Sequence, residues 1–154
     1  MLSRSPSRPA LPVQERSGAR PVMLATLDVP FDSEAAAFGV DAAVESGVVL
    51  IVVNVVETPF LPSALAGWDV PAPPEVEESL SAPARLAHAL GVEVERLRVR
   101  SPHPVDALLQ VAGEREPGVL VFGPDRTRLP RRRYLKAERA VRDRAPCLLW
   151  IPPV

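Results

Sequence analysis

The sequence predicts an α/β domain, a three-layer sandwich in which helices cover both faces of a five-stranded parallel sheet. Two apolar, β-branched segments carry this prediction, Val22 to Leu27 and Val48 to Val56. Neither shows the apolar–polar alternation of a half-exposed strand, so both of their faces need cover, as in parallel sheets. Segments with helical periodicity lie between the predicted strands, and strands separated by helices pair in parallel through right-handed crossovers.

The predicted elements alternate in the order βαβαβαβαβ. The predicted strands are Val22–Leu27, Val48–Val56, Val92–Val99, Val119–Phe122 and Cys147–Ile151, and the predicted helices are Ser33–Ser46, Glu75–Leu90, Pro104–Glu116 and Arg132–Asp143. Ser33 is the expected N-cap of the first helix, and Gly47 is its expected stop. The third strand alternates apolar residues with Glu and Arg, which is typical of an edge strand. Thr58 to Pro74, with five prolines and Trp68, is predicted to be a long loop.

Length and composition set the class of protein. A chain of 154 residues with 47% hydrophobic residues suits one domain with one core. We expect that domain to span residues 21–154, after a disordered Ser-, Pro- and Arg-rich tail at 1–20. The longest apolar segment is far shorter than the ~20 residues of a membrane helix, and no secretory signal is recognisable. With a single cysteine, Cys147, these features predict a cytoplasmic protein with no membrane partner.

Charge is distributed unevenly along the chain. Residues 21–120 contain 15 acidic and 5 basic residues, whereas residues 126–144 contain 9 basic and 2 acidic residues. The basic segment predicts a small anionic ligand. Nucleic acid is a less favoured partner, because Tyr134 is the only aromatic residue within the segment.

The common catalytic and metal-binding motifs are absent from the sequence. It contains no GxxxxGK[ST], no GxGxxG after a strand, no HExxH, no paired Cys/His spacing and no GxSxG. His88, His103 and Cys147 are expected to have ordinary structural or surface roles. We therefore expect a protein without enzymatic activity and without a bound metal.

A ligand of an open parallel sheet binds beyond the carboxyl ends of the strands, where the strand order reverses. Asp28 closes the first predicted strand and Gly123 closes the fourth. If the first strand lies between the second and the fourth, these two ends meet, and the helix after Gly123 favours an anion there. Asp28 has two interpretations, a ligand contact or a carboxylate that caps the following turn.

The spacing after Gly123 resembles the universal stress protein family. That family has Gly, two residues, Gly, nine residues, then Gly followed by Ser or Thr. These positions are occupied by Gly123, Arg126, Lys136 and Ala137. Three segments also resemble the first, second and fourth strands of the family: VMLATLD, VLIVVNVVE and GVLVFG. The resemblance covers Pro21 to Val154. It implies an adenine nucleotide alpha hydrolase-like fold with strand order 3-2-1-4-5, ATP binding in many members, and homodimers.

The resemblance also implies the positions of site residues. Thr26, Leu27 and Asp28 would border the adenosine, Val55 would contact the base, and Gly123 would let the backbone approach the ligand. The apolar Leu148 to Ile151 edge predicts that a homodimer forms through the last strand.

Three replacements in the loop argue against ordinary ATP binding. Arg126 and Lys136 replace glycines that leave room for phosphates, and Ala137 replaces a hydroxyl that would donate a hydrogen bond. Pro130 lacks an N–H donor. The basic side chains of the loop could still hold an anion, including ATP. We therefore predict a non-catalytic stress-response or regulatory module with no assured cofactor. The alternatives are a nucleotide- or anion-binding protein with slow hydrolysis and, less favoured, a nucleic-acid binder.

Overall fold

The computed structural model describes residues 19–59 and 72–154. Most of the predicted N-terminal tail, Trp68 and most of the predicted proline-rich loop lie outside the described residues. The described strands are β1 (Val22–Thr26), β2 (Leu50–Glu57), β3 (Val94–Ser101), β4 (Val119–Phe122) and β5 (Leu148–Trp150). The described helices are α1 (Ser33–Ser46), α2 (Pro74–Ala89), α3 (Pro104–Arg115) and α4 (Arg131–Arg144), with a 3-10 turn at Arg126–Arg128.

The strands form one parallel sheet in the order β3-β2-β1-β4-β5. The predicted fold class and strand order are therefore confirmed. β1 is central and buried along its whole length. It pairs with β2 on one side and with β4 on the other, so the strand order reverses beside it. β3 is an edge strand, as its alternating sequence predicted.

The sheet separates two hydrophobic cores. Side chains of Val22 and Leu24 join the core under α1 and α2, whereas Met23 and Ala25 join the core under α3 and α4. Successive side chains of a strand point to opposite faces. A strand that supplies both cores must therefore be apolar at every position, which is why β1 has a continuous apolar sequence.

The N-cap of α1 is Asp32, so the prediction of Ser33 was wrong. The Oδ1 atom of Asp32 accepts hydrogen bonds from the backbone N–H groups of Glu34 (2.8 Å) and Ala35 (3.1 Å). A carboxylate at this position satisfies two free N–H groups and also interacts favourably with the helix dipole. The predicted stop at Gly47 is confirmed, because its φ of 65° is in the left-handed region that favours glycine.

Candidate functional site

The turn after β1 is held by side chains from β1 and β2. Asp28 has a φ of 58°, a left-handed conformation that costs free energy for a residue other than glycine. The buried Asn54 side chain stabilises it, because its Oδ1 accepts from the Asp28 N–H (2.7 Å) and its Nδ2 donates to Asp28 Oδ1 (3.3 Å). Thr26 Oγ1 donates to the Val29 carbonyl (2.8 Å). The carboxylate of Asp28 thus contacts β2, and among the described residues its hydrogen bond is with Asn54.

Asn54 is a site residue that sequence reasoning missed. Its signal was present, since it is the one polar residue in the apolar segment from Val48 to Val56. A buried amide in a strand needs hydrogen-bond partners, and here it finds them on the neighbouring strand end. The identity of those partners depends on the pairing of β1 with β2.

The carboxyl ends of β1 and β4 lie side by side, as predicted for the switch point. Ala25 and Phe122 are paired residues, and the Gly123 N–H donates to the Ala25 carbonyl (2.9 Å). A Cβ atom at position 123 would lie 2.4 Å from the Cβ of Ala35 on α1. Gly123 is therefore required for the close packing of α1 on the end of β4. Its predicted role in ligand approach stays a prediction.

The Arg126 side chain is directed to the segment that follows β5. Its Nε donates to the Tyr134 hydroxyl (3.2 Å), Nη1 donates to the Pro153 carbonyl (3.3 Å), and Nη2 donates to the Pro152 carbonyl. The guanidinium also lies 5.4 Å from the centre of the Tyr134 ring, within the range of a cation–π contact. The hydrogen bond with Tyr134 raises the pKa of Arg126, and burial raises the pKa of Tyr134.

Lys136 and Ala137 lie within α4, because this helix already begins at Arg131. The Tyr134 N–H donates to the Pro130 carbonyl (2.9 Å) as the first bond of the helix. Just before it, the Asp125 carboxylate accepts from the N–H (3.0 Å) and hydroxyl (2.8 Å) of Thr127 and so caps the 3-10 turn. The interval between positions 126 and 136 is therefore largely folded, and several of its N–H groups are already bonded.

A cavity of about 600 Å³ opens between α3 and α4, next to the carboxyl ends of β1 and β2. Its volume is in the range of small-molecule sites. We call it the α3–α4 pocket; its lining includes Leu27, Glu57, Pro102, His103, Pro104, Val105, Asp106, Arg133, Lys136, Ala137, Ala140 and Arg144.

Three predicted site residues line the α3–α4 pocket: Leu27, Lys136 and Ala137. The other five, Thr26, Asp28, Val55, Gly123 and Arg126, are not part of its lining. Thr26 and Val55 are fully or almost fully buried, so neither offers surface to a ligand in this conformation.

Two ion pairs connect the basic side of the pocket to its acidic side. Arg133 pairs with Glu57 (2.5 Å), and Arg144 pairs with Asp106 (2.7 Å). The hydrogen bond from Arg144 holds the pKa of Asp106 below its ordinary value. Lys136 lies between these pairs along α4 and forms no ion pair with any residue in the described ranges. Its ammonium group is therefore available to an anion.

A sequence model of the universal stress protein family matches residues 18–151. The chain belongs to this family. The assignment of the family's spacing of Gly, two residues, Gly, nine residues and Gly to Gly123, Arg126 and Lys136 stays a prediction. In this universal stress protein, positions 126 and 136 carry long cationic side chains, and Lys136 lies inside α4.

Solved universal stress proteins share the fold of this chain. One from Archaeoglobus fulgidus has 23% identity and a TM-score of 0.61, with 86% of this chain and 97% of that chain covered. The same organism's protein in complex with dAMP has 21% identity and a TM-score of 0.59, with 86% and 96% covered. A universal stress protein in complex with cAMP has 22% identity and a TM-score of 0.59, with 87% and 96% covered. No curated protein sequence matches the chain.

Two observations concern the described ranges, 19–59 and 72–154. There, His, Cys, Asp and Glu side chains do not gather in groups of three or more that could hold a metal ion. Nor is any helix in these ranges long and apolar enough to cross a membrane.

Proposed function

We propose that this universal stress protein is a non-catalytic regulatory module that does not bind ATP in the manner implied by the family motif. The observation that carries the proposal is the position of Arg126. Arg126 stands where the family resemblance expects the second motif glycine, and its side chain donates to Tyr134, Pro152 and Pro153. A triphosphate in the loop would have to displace these contacts.

The backbone of the loop supports the same proposal. Motif glycines serve phosphate binding because N–H groups can face the ligand without a side chain in the way. Here the N–H groups of Thr127 and Tyr134 are bonded inside the 3-10 turn and the first turn of α4. Hydrogen bonds to charged groups are worth about 1.5–3 kcal/mol each. Arg126 is partly exposed, so each of its bonds belongs at or below the lower end of that range.

Thermal-shift titration with ATP and Mg-ATP tests the proposal, together with an assay for released phosphate. A ligand at about 100 times its Kd would stabilise the protein by about 2.7 kcal/mol. We expect no shift at millimolar ATP for the natural sequence. The triple variant Arg126→Gly, Lys136→Gly, Ala137→Ser restores the motif and is expected to gain a shift. Stabilisation of the natural sequence by ATP, or phosphate release above background, would refute the proposal.

We propose further that the protein acts as a homodimer through β5. This strand is at the edge of the sheet, and the Leu148 side chain is 75% exposed. Trp150 on the same strand stacks against Phe38 with ring centres 4.2 Å apart, which supports the strand from α1. An unpaired apolar edge strand favours pairing with a second copy.

Light scattering after size-exclusion chromatography tests the dimer. The natural sequence is expected to elute as a dimer, and Leu148→Asp is expected to shift it to a monomer. Leu86→Asp is the matched control, because Leu86 is an exposed leucine on α2 and lies outside β5. A natural protein that is monomeric at micromolar concentration would contradict the dimer. A cytoplasmic location stays a prediction.

Nucleotide or anion binding in the α3–α4 pocket is the second candidate function. The pocket has apolar lining from Leu27, Ala137 and Ala140, and Lys136 supplies a positive charge that forms no ion pair within residues 19–59 and 72–154. Two solved relatives are complexes with cAMP and dAMP, and a third, from Arabidopsis thaliana, has AMP bound. These features suit a compact phosphorylated ligand better than they suit a triphosphate.

Isothermal titration with AMP, cAMP and inorganic phosphate tests this second candidate. Lys136→Ala is expected to weaken binding at least tenfold, whereas Arg139→Ala is expected to leave it unchanged. Arg139 is an exposed cation on the same helix, but it does not line the pocket. Equal losses in the two variants would mean that only the general positive charge of α4 attracts the anion.

A further inference from the structure

The outer surface of α4 carries an exposed leucine surrounded by arginines. Leu135 is 47% exposed. Three exposed arginines lie near it on the helix. Arg131 and Arg132 lie four and three residues before it, and Arg139 lies four residues after it. Residues at these spacings are neighbours on a helix surface. We call this group of four residues the Leu135 patch.

The arginines of the Leu135 patch differ from seven other surface arginines of residues 19–59 and 72–154. Seven arginines elsewhere are held by carboxylates: Arg85, Arg96, Arg115, Arg128, Arg133, Arg142 and Arg144. Within residues 19–59 and 72–154, the three arginines of the patch have no such partner. The nearest carboxylate on α4, Glu138, is bonded to Arg142. The patch thus keeps its positive charge available around an apolar centre.

We propose that the Leu135 patch is a docking surface for an acidic segment of a partner protein. An apolar side chain of the partner would pack on Leu135, and flanking carboxylates would pair with the arginines. Arginine suits this role because its planar group forms two parallel hydrogen bonds to one carboxylate. Arginine is also enriched in the buried part of protein interfaces, and the complementary charge would accelerate association.

The chemistry of the patch favours a protein over a nucleic acid. Single-stranded nucleic acids are bound by aromatic side chains that stack on the bases, together with cations for the phosphates. Tyr134 is the aromatic residue of α4, but it is only 5% exposed because its ring packs in the core. The apolar group that α4 does expose is Leu135, which offers no stacking surface.

A second copy of this chain is a less suitable partner than a different protein. The carboxylates at the start of α2, Glu75, Glu77 and Glu78, are already paired within the chain. Exposed carboxylates remain on α1 and at Glu93, Glu114 and Glu116, but α1, which carries several of them, covers the face of the sheet opposite to α4. Docking α1 of one copy on α4 of the next would be a head-to-tail contact that does not close on itself.

Fluorescence anisotropy with three labelled probes tests the docking surface. The first probe is a twelve-residue peptide in which glutamates flank two central leucines. The second replaces both leucines with serine, and the third is a twelve-nucleotide oligo-dT. We expect the leucine peptide to bind at least tenfold more tightly than either of the others.

Two double variants locate the binding on the protein surface. Arg132→Glu with Arg139→Glu is expected to weaken binding of the leucine peptide at least tenfold. This double variant should stay folded, because both residues are exposed and a glutamate in the first turn of α4 favours the helix. Arg85→Glu with Arg96→Glu makes the same change in net charge elsewhere and is expected to retain the affinity. Leu135→Ser is expected to weaken the leucine peptide but not the serine peptide.

Three results would overturn the proposal. These are oligo-dT binding as tightly as the leucine peptide, equal loss of affinity in the two double variants, and no peptide binding at low salt. The particle mass of the natural sequence without peptide gives one more outcome. If this mass grows with protein concentration, and the growth is lost in the Arg132→Glu, Arg139→Glu variant, the patch serves self-association instead. The patch lies outside the lining of the α3–α4 pocket, so none of these results depends on nucleotide binding.

Discussion

An alanine at position 123 would introduce a methyl group 2.4 Å from the Cβ of Ala35. Two carbon atoms in contact prefer a separation of about 3.5–4.0 Å, so one of the two elements has to move by about 1 Å or more. The end of β4 cannot move freely, because the Gly123 N–H is bonded to Ala25 and its carbonyl accepts from the Asp32 N–H, both at 2.9 Å. Overpacking of a core costs about 1–3 kcal/mol. We expect Gly123→Ala to lower the free energy of unfolding by about 2–3 kcal/mol, at the upper end of that range.

Urea unfolding of four variants measures this effect. Gly113→Ala is the matched control, since a Cβ there meets nothing within 4 Å, and this helical position should gain about 0.4–1 kcal/mol. Ala35→Gly alone should lose about 1 kcal/mol of helix propensity. In the double variant Gly123→Ala, Ala35→Gly, removal of the opposing methyl should restore most of the lost stability. A Gly123→Ala variant as stable as the natural sequence, or a double variant whose losses simply add, would refute the packing argument.

Three further predictions concern named polar groups. Asn54→Ala removes two hydrogen bonds to Asp28 and should cost about 1–3 kcal/mol by urea unfolding, whereas Asn54→Asp brings two carboxylates together and should cost more at neutral pH. Burial raises the pKa of Tyr134 above the ordinary value near 10. The stability that the neutral Tyr134 side chain contributes is therefore complete below about pH 10 and is lost as pH rises through the raised pKa of the folded protein. Tyr134 is the only tyrosine, so tyrosinate absorbance should give a midpoint above that of a free tyrosine. The hydrogen bond from Arg144 lowers the pKa of Asp106. Asp106→Asn should therefore be less stable than the natural sequence at neutral pH. This difference should vanish as pH falls through the lowered pKa. Unchanged pH profiles in these comparisons would contradict the assigned contacts.

The elements of the fold were predictable because their signals are local. A continuous apolar segment, a helical period and a glycine stop are each contained in a few neighbouring residues. The predicted end of α1 at Ser46 matches the structure, and the predicted bounds of α3 differ from it by one residue. The N-cap was harder to assign, because Asp32 and Ser33 are both good capping residues. The choice between them depends on where the chain leaves the turn after β1.

The sequence predicted that the carboxyl ends of β1 and β4 lie side by side, but a ligand site there stays a prediction. Its details depend on residues that are distant in the sequence. Arg126 belongs to the loop motif, but its guanidinium contacts carbonyls that lie 26 and 27 residues further along the chain. A charged side chain in a loop that suggests a phosphate contact can therefore make its hydrogen bonds within the protein instead. No local pattern in the sequence predicts that outcome.

The sequence by itself determined the α/β class, the alternation of elements and the family resemblance, because each of these depends on residue type at short, regular spacings. The tertiary structure alone decided which contacts the predicted site residues make within the protein. It assigned Gly123 to the packing of α1, Arg126 to the segment after β5, and Lys136 to the wall of a pocket. The physical reason is that the partners of a buried or paired group are set by how the layers pack, and packing brings together residues that are far apart in the chain.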